Sequence, residues 1–572
     1  MLGLSLLAIV VGLIGGIASI AFIEGISAIQ FLGFFTTSEY LASRVAKLPW
    51  WQIVLVPTIG GLIVGLLSYF WMPNRRSQGV ADVIEANALR GGRMSFRNGI
   101  KAAVLSVISI GSGASVGREG PMVHFGASLG STLATKLKLD PKQTRTLLGC
   151  GVASAVAASF NAPLAGVFFA LEVVVGHYGM SAFAPVVLAA VSGTLVSHMY
   201  LGDTPAFLLP SLIIATPLEF PAFVLLGLTS IPAALALIYG PSFVNRIVAK
   251  TKIPSWIRPT IAGLLVGLVA IRLPEILGVG YEATSMALGA ELGFWLLISL
   301  LCAKIALTVL CLGMGFGGGV FSPALFVGAM LGGSFGIIAT SIVDVHTSAL
   351  AVYTIVGMGA VSAAVLGAPI STTLMIFELT GDYSVTMGVM IAVAISSFLI
   401  RAITPYSFFT LTLLQRGVEV QNGLDVSVLR DTHVGDIIDR RVDTISSDAP
   451  FDVVRRKLLA SRWGRVFVVE DGEFVGVIRF SETLDESRTE DQTALSIAER
   501  TVCLKQHSSL EDAMQIIRKT GEAHIPVVSD GDGKLIGQVH EHEVNFTYHR
   551  AILQANEESE EEDEDQDQSS SK

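Results

Sequence analysis

Apolar and polar positions divide the chain at about residue 417. Before it, apolar stretches recur, among them residues 102–110, 222–228 and 387–395; beyond it, charged residues are interleaved with short apolar runs. A helix needs about 20 apolar residues to cross hydrocarbon, so the first part predicts an all-α polytopic membrane bundle. Several runs are shorter or interrupted by Gly and Pro, and broken helices inside a membrane occur where they line a site. The first run, residues 1–22, lacks a basic leader and a small-residue cleavage pattern and continues past Glu24 into apolar sequence, which predicts a retained span. After residue 417 the period changes. Two similar units each pair a helix with two alternating runs: Arg465-Val-Phe-Val-Val469 with Phe474-Val-Gly-Val-Ile478, and His524-Ile-Pro-Val-Val528 with Leu535-Ile-Gly-Gln-Val539. Asp471-Gly472 and the residues around 530–533 supply the turns, which predicts strand pairs. The expected organisation is a membrane domain over 1–417, a linker over 418–433, α/β units over 434–486 and 494–549, and a tail over 550–572.

Composition agrees with this division: 51% of the 572 residues are hydrophobic and 15% charged, too apolar and too long for one soluble domain. The formal net charge of −10 carries no electrostatic message about the body of the protein, since nine acidic residues fall between Glu557 and Asp567. From Glu557 to Lys572 the tail has no apolar side chain to bury and is expected to be disordered. Cys150, Cys302, Cys311 and Cys503 show neither CxxC spacing nor a histidine pattern, so neither zinc nor a disulfide framework is expected.

Two motifs recur in the same order. Gly117, Pro121, Gly126, Ala127, Leu129 and Gly130 return at Gly319, Pro323, Gly328, Ala329, Leu331 and Gly332, an offset of 202 residues. Gly151, Ala162, Pro163 and Glu172 return at Gly357, Ala368, Pro369 and Glu378, an offset of 206. Duplicated halves with Gly/Pro breaks at matching positions point to a transport site at the repeat interface. Whether the halves are parallel or inverted is not written in the spacing.

In each first motif a glycine-rich run precedes a proline, which marks a helix N-terminus. Such a terminus offers unpaired N–H groups and about half a positive charge, suited to an anion that must be bound without being trapped. Gly117, Gly120 and Gly319 are read as part of that site, and Gly130, Gly332 and Gly333 as close helix contacts. Glu119 places a carboxylate at this anion-seeking end. Ionised, it can imitate the permeant anion and close the path; protonated or displaced, it leaves the path open, coupling passage to pH or voltage. The plainer reading is an ion pair with Arg118. Glu172 and Glu378, each nine residues past a helix-starting proline, are read as scaffold that caps a neighbouring helix end.

The blocks Gly117-Arg-Glu-Gly-Pro121, Gly319-Val-Phe-Ser-Pro323 and Asn161-Ala-Pro-Leu-Ala-Gly166 closely resemble those of the CLC family of chloride channels and chloride/proton exchangers. The resemblance covers the membrane part. It implies two inverted repeats and a homodimer with one pore per subunit. It also implies an external gating role for Glu119, and anion sites facing the N–H groups of Arg118, Glu119, Gly120, Val320 and Phe321. Three departures stand out. The family's first pore motif appears as Ser77-Gln78-Gly79-Val80-Ala81, with Gln78 in place of a serine and Gly79 beside it. The pore tyrosine falls at Phe409, or at Tyr406 in a shifted register. The inward proton-handling glutamate of exchangers is Val173, which carries no proton and favours a channel over the alternative of a chloride/proton antiporter.

The C-terminal units resemble a tandem pair of CBS domains, which in many proteins bind adenine nucleotides. Where nucleotide-binding members place Thr or Ser followed by Asp, this chain has Arg479 with Glu482, and His540 with Glu543. A ligand-free dimerisation role competes with nucleotide binding. A CBS-regulated divalent-cation transporter is a different class and needs converging oxygen ligands; the site segments instead offer N–H groups. No nucleophile–base or metal-ligand set appears in the spans, so no enzyme, metal or required cofactor is expected. The expected partners are chloride or a similar anion, the bilayer and a second copy of the chain, with no nucleic acid. The expected location is the plasma (inner) membrane, with the CBS units cytoplasmic.

Overall fold

The computed structural model describes residues 2–38, 40–72, 75–176, 179–202, 219–342, 350–418, 433–481, 492–547 and 550. Residues 419–432 of the expected linker (418–433), Glu482, and residues 551–572 of the expected tail (550–572) lie outside the described residues. The chain divides into two compact units, Met1–Val420 and Gln421–Lys572.

The first unit is helical throughout its described residues. Its first half runs α1 (Leu2–Phe34), α2 (Ala42–Val45), α3 (Trp50–Trp71), α4 (Val80–Leu89), α5 (Phe96–Gly111), α6 (Glu119–Lys136), α7 (Pro141–Phe160), α8 (Pro163–Phe169) and α9 (Met180–Leu201). The second half runs α10 (Phe220–Ala249), α11 (Arg258–Ala270), α12 (Tyr281–Leu288), α13 (Phe294–Met314), α14 (Phe321–Ile342), α15 (Leu350–Leu366), α16 (Pro369–Thr380), α17 (Tyr383–Ile403) and α18 (Phe408–Leu414). Among the described residues seven helices are long and apolar enough to cross a membrane. Shorter pieces such as α4, α8, α16 and α18 are the broken helices that the interrupted runs predict.

The repeat is visible in the packing. α6 lies on α7 and α14 on α15, and each contact closes over paired glycines. A Cβ on Gly126 would meet the Gly151 carbonyl oxygen at 2.3 Å, and one on Gly328 would meet that of Gly357 at 2.4 Å. Backbones can approach this closely only without side chains between them, the usual device where lipid gives no hydrophobic drive to helix pairing.

In the second unit, β1 (Thr444–Ser446) lies parallel to β2 (Arg465–Glu470), which pairs antiparallel with β3 (Glu473–Arg479). The second sheet repeats this with β4 (Leu504–Lys505), β5 (His524–Val528) and β6 (Leu535–His540), including a register shift at the matching place, Val468/Val469 and Val527/Val528. Each hairpin matches its sequence run; the β2–β3 turn has positive φ at both Asp471 (51°) and Gly472 (88°), the geometry that twists with the strands it joins. β1 and β4 are additions to the sequence reading. At three and two residues, joined through a helix, they carry no alternation to detect.

Candidate functional site

The two glycine-rich runs meet. Gly117 N donates to Gly319 O and Gly319 N to Gly117 O, both at 2.7 Å, forming an isolated antiparallel bridge. Segments that run in opposite directions here lead into helices that depart in opposite directions, so the halves are inverted. The approach requires glycine: a Cβ on Gly319 would lie 2.9 Å from Gly120 N. Immediately after the bridge, α6 begins at Glu119 and α14 at Phe321, with the first intrahelical bonds made by Met122 N to Arg118 O (3.2 Å) and Ala324 N to Val320 O (2.9 Å). The preceding N–H groups are those a helix leaves without an internal acceptor.

Four helix N-termini converge on one small chamber. Val80 opens α4, Glu119 and Gly120 open α6, Phe321 opens α14 behind Val320, and Phe409 is in the first turn of α18; all of them line it. Ser407 caps α18 by accepting from Thr410 N (3.4 Å), and Asp82 holds the start of α4 by accepting from Gly79 N (2.9 Å). The chamber holds about 10 Å³, at the lower limit for a single water. It adjoins a vestibule of about 380 Å³ through the shared residues Val80, Gly120, Gly319 and Phe409. Gln78 and Gly79 line the vestibule, and Gln78 Oε1 is buried without a hydrogen-bond partner among the described residues.

Glu119 lines the chamber. It is buried (3% exposed), and accepts from Ser322 N at 3.3 Å and from Ser322 Oγ. A carboxyl side chain from the first half therefore occupies the N-terminus of a helix from the second, where the dipole favours negative charge. Arg118 turns elsewhere: its guanidinium donates to Ser159 O (3.2 Å), stacks over Tyr281 at 4.9 Å, and lines a separate cavity with Glu275 and Glu282. Of the two registers for the last pore position, Phe409 lines both chamber and vestibule. Tyr406 instead donates from its backbone N to Thr404 Oγ1 (3.3 Å) and packs against the core.

Val173 lies in a π-helical turn, Ala170–Val175, against apolar neighbours. Beside it Glu172 accepts from Ile370 N (3.1 Å) and Ser371 N (2.8 Å) at the start of α16. Glu378 accepts from Leu164 N and Ala165 N, both at 2.8 Å, at the start of α8. Each half caps a helix of the other, the scaffold role read from the repeat.

Two features escaped the sequence reading. Ser322 is one; the 202-residue offset aligns it with Gly120, and a hydroxyl just before the helix proline was an available cue. The other is the vestibule's charge: among the described residues Arg75, Arg76, Arg258 and Arg416 line it with a single carboxylate, Asp82. Asp82 pairs with Arg76 at 2.8 Å and Arg416 at 3.1 Å. Arg416 also lies 3.9 Å from Glu85, so among the described residues the four guanidinium groups still outnumber the carboxylates beside them. Among the described residues no group of three or more His, Cys, Asp or Glu is placed to hold a metal ion.

A family model described as voltage gated chloride channel matches residues 60–401, and CBS domain models match residues 434–487 and 496–546. A ClcB-like protein of Ralstonia nicotianae is 34% identical over 390 residues, which cover 67% of this chain and 90% of that protein. Two solved structures share the fold at a TM-score of 0.64. A slow cyanobacterial Cl⁻/H⁺ antiporter is 22% identical over 73% of this chain and 99% of its own. A eukaryotic CLC transporter is 18% identical over 95% of this chain and 98% of its own.

Proposed function

The chain belongs to the voltage-gated chloride channel family, and from that premise we propose that it passes chloride through a pore closed by the Glu119 carboxylate. It is a multi-pass membrane transporter with two CBS domains, in a family of transporters rather than enzymes. The observation that carries the gating reading is the seat of Glu119: a carboxylate held by Ser322 N and Oγ at the start of α14. A chloride ion arriving from the vestibule would compete for the same donors. Conduction then requires Glu119 to be protonated or displaced, which makes it depend on pH or voltage. Val173, apolar and packed, supports a gated channel over a proton-coupled exchanger. Gly120, Val320, Phe321 and Phe409 at the chamber, Gln78 and Gly79 in the vestibule and the backbone N–H of Arg118 are the anion-site residues of this reading, and Gln78 and Phe409 set its selectivity.

The working form is a homodimer with one pore per subunit in the plasma membrane, its CBS units on the cytoplasmic side. Those units act by structural pairing rather than nucleotide binding, since Arg479 and His540 occupy the places where a nucleotide would need short hydroxyl donors.

Purified protein in liposomes tests this. Chloride efflux is expected without uphill proton movement when the membrane potential is clamped. Glu119→Gln is expected to raise chloride efflux and abolish its pH dependence. Proton uptake driven by a chloride gradient would replace the channel with an exchanger. Unchanged pH dependence in the variant would remove Glu119 as the gate, and magnesium release without chloride release would overturn anion transport.

A further inference from the structure

Two matched side chains cross between the CBS units, and Arg465 Nη1 also donates to His524 O (3.3 Å). Arg465 and Arg479 are cross-strand partners at one end of the first sheet, and His524 and His540 are partners at the matching end of the second. Two residues before β5, Glu522 reaches from the second unit to both arginines, at 3.4 Å to Arg465 and in a closer contact to Arg479. Two residues before β2, Trp463 reaches from the first unit onto both histidines, its ring 5.0 Å from His524 and 4.4 Å from His540. The matched contacts differ in chemistry. The arginines stay charged at every accessible pH. Imidazoles change charge within the accessible pH range, so the Trp463 contact, unlike the arginine one, does not keep a single charge state.

We propose that the His524–His540 pair beneath Trp463 is a proton-binding site that makes the contact between the two CBS units dependent on pH. The imidazole rings are 4.1 Å apart, so a first proton places charge against the neighbouring ring and a second is opposed by the first. The pair lies at a cavity of about 770 Å³ that gives solvent access. Every neighbouring element contributes charge. Asp436 and Asp439 come from the segment before β1, with Asp439 Oδ2 3.9 Å from His540 Nε2. Arg462 and Arg465 flank the start of β2, Glu522 precedes β5, and Glu541, His542 and Glu543 follow β6. The acids favour a proton on the pair and the arginines oppose it. His524 Nδ1 and His540 Nε2 are both buried without a hydrogen-bond partner among the described residues, and the acceptor facing His540 Nε2 is the Asp439 carboxylate at 3.9 Å.

Burial, then Arg465 and His540, lower the His524 pKa from 6.5 to about 4, and burial foremost lowers that of His540. Both rings are thus neutral at pH 7. A depressed pKa means that the separated units bind more protons than the paired ones. The pairing contributed by this contact is complete above pH 6.5 and is lost as pH falls through about 4.

The full chain in detergent provides the test. The Trp463 emission, taken as wild type minus Trp463→Phe, is expected to shift to the red on acidification as the indole is released to water, with a midpoint between pH 4 and 6.5, and to stay flat in His524→Gln/His540→Gln. A flat wild-type profile, or an unchanged titration in the double variant, overturns the proposal. Hydrogen exchange of β5 and β6 in unaltered protein, corrected for intrinsic rates, covers the case in which the variants misfold. Increased exchange at low pH is expected in β5 and β6 but not at the Arg465–Arg479 end, and uniform exchange across both sheets overturns the proposal.

Discussion

At Glu119 the decisive contact is the one the sequence reading did not name. Ser322 supplies both a backbone N–H and a hydroxyl to the carboxylate, and only the hydroxyl can be removed by substitution. A hydrogen bond to a charged group contributes about 1.5–3 kcal/mol, and about 1.4 kcal/mol is tenfold in an equilibrium. Ser322→Ala should therefore favour the open pore about tenfold, seen as faster chloride efflux, while pH dependence persists because Glu119 remains. In Glu119→Ala the same substitution should change little, because the pair couples only through the lost contact. Equal effects of Ser322→Ala in both backgrounds would show that the hydroxyl serves the anion directly and not the gate.

Between helices the neighbouring glycines Gly332 and Gly333 separate two roles that spacing alone joins. A Cβ on Gly332 would stand 2.1 Å from Tyr353 O and 2.9 Å from Thr354 Cα, both backbone atoms of α15. On Gly333 the nearest atom is the Leu297 Cδ1 methyl at 3.3 Å, the end of a side chain that can turn. Gly332→Ala must push α14 off α15, a strain of about 3 kcal/mol or more, whereas Gly333→Ala is nearly neutral. Thermal unfolding in detergent checks this: a large fall in Tm for the first and little change for the second. What was legible follows from range. The repeat, the helix starts at Pro121 and Pro323 and the hairpin at Asp471-Gly472 are written in residues a few positions apart. The Gly117–Gly319 bridge, the donors from Ser322 and the parallel strand Thr444–Ser446 are set by partners far away in the chain. Phe409 against Tyr406 belongs to the second group, since the register of a seven-residue helix is fixed by what it packs on and not by its own period.

For the membrane unit as a whole, the reciprocal contacts between halves constrain how an anion can pass. The halves share the Gly117–Gly319 bridge at the chamber and exchange caps at α8 and α16, and α3 also packs on α11. A rocking motion of one half against the other would break several of these at once, while moving the Glu119 side chain breaks only its bonds to Ser322. The architecture therefore favours gating by a side chain within a fixed scaffold. The exchanged carboxylates allow a check. Each accepts from two N–H groups at a helix start, so Glu172→Gln or Glu378→Gln replaces one acceptor oxygen by an amide donor facing an N–H. The loss is about 1–3 kcal/mol, and the inverted symmetry makes it similar for the two. Both variants should lower Tm by comparable amounts and leave the pH dependence of chloride efflux intact. If Glu172→Gln alone abolished that dependence, the carboxylate next to Val173 would be carrying protons inward, and the scaffold would be part of the transport path.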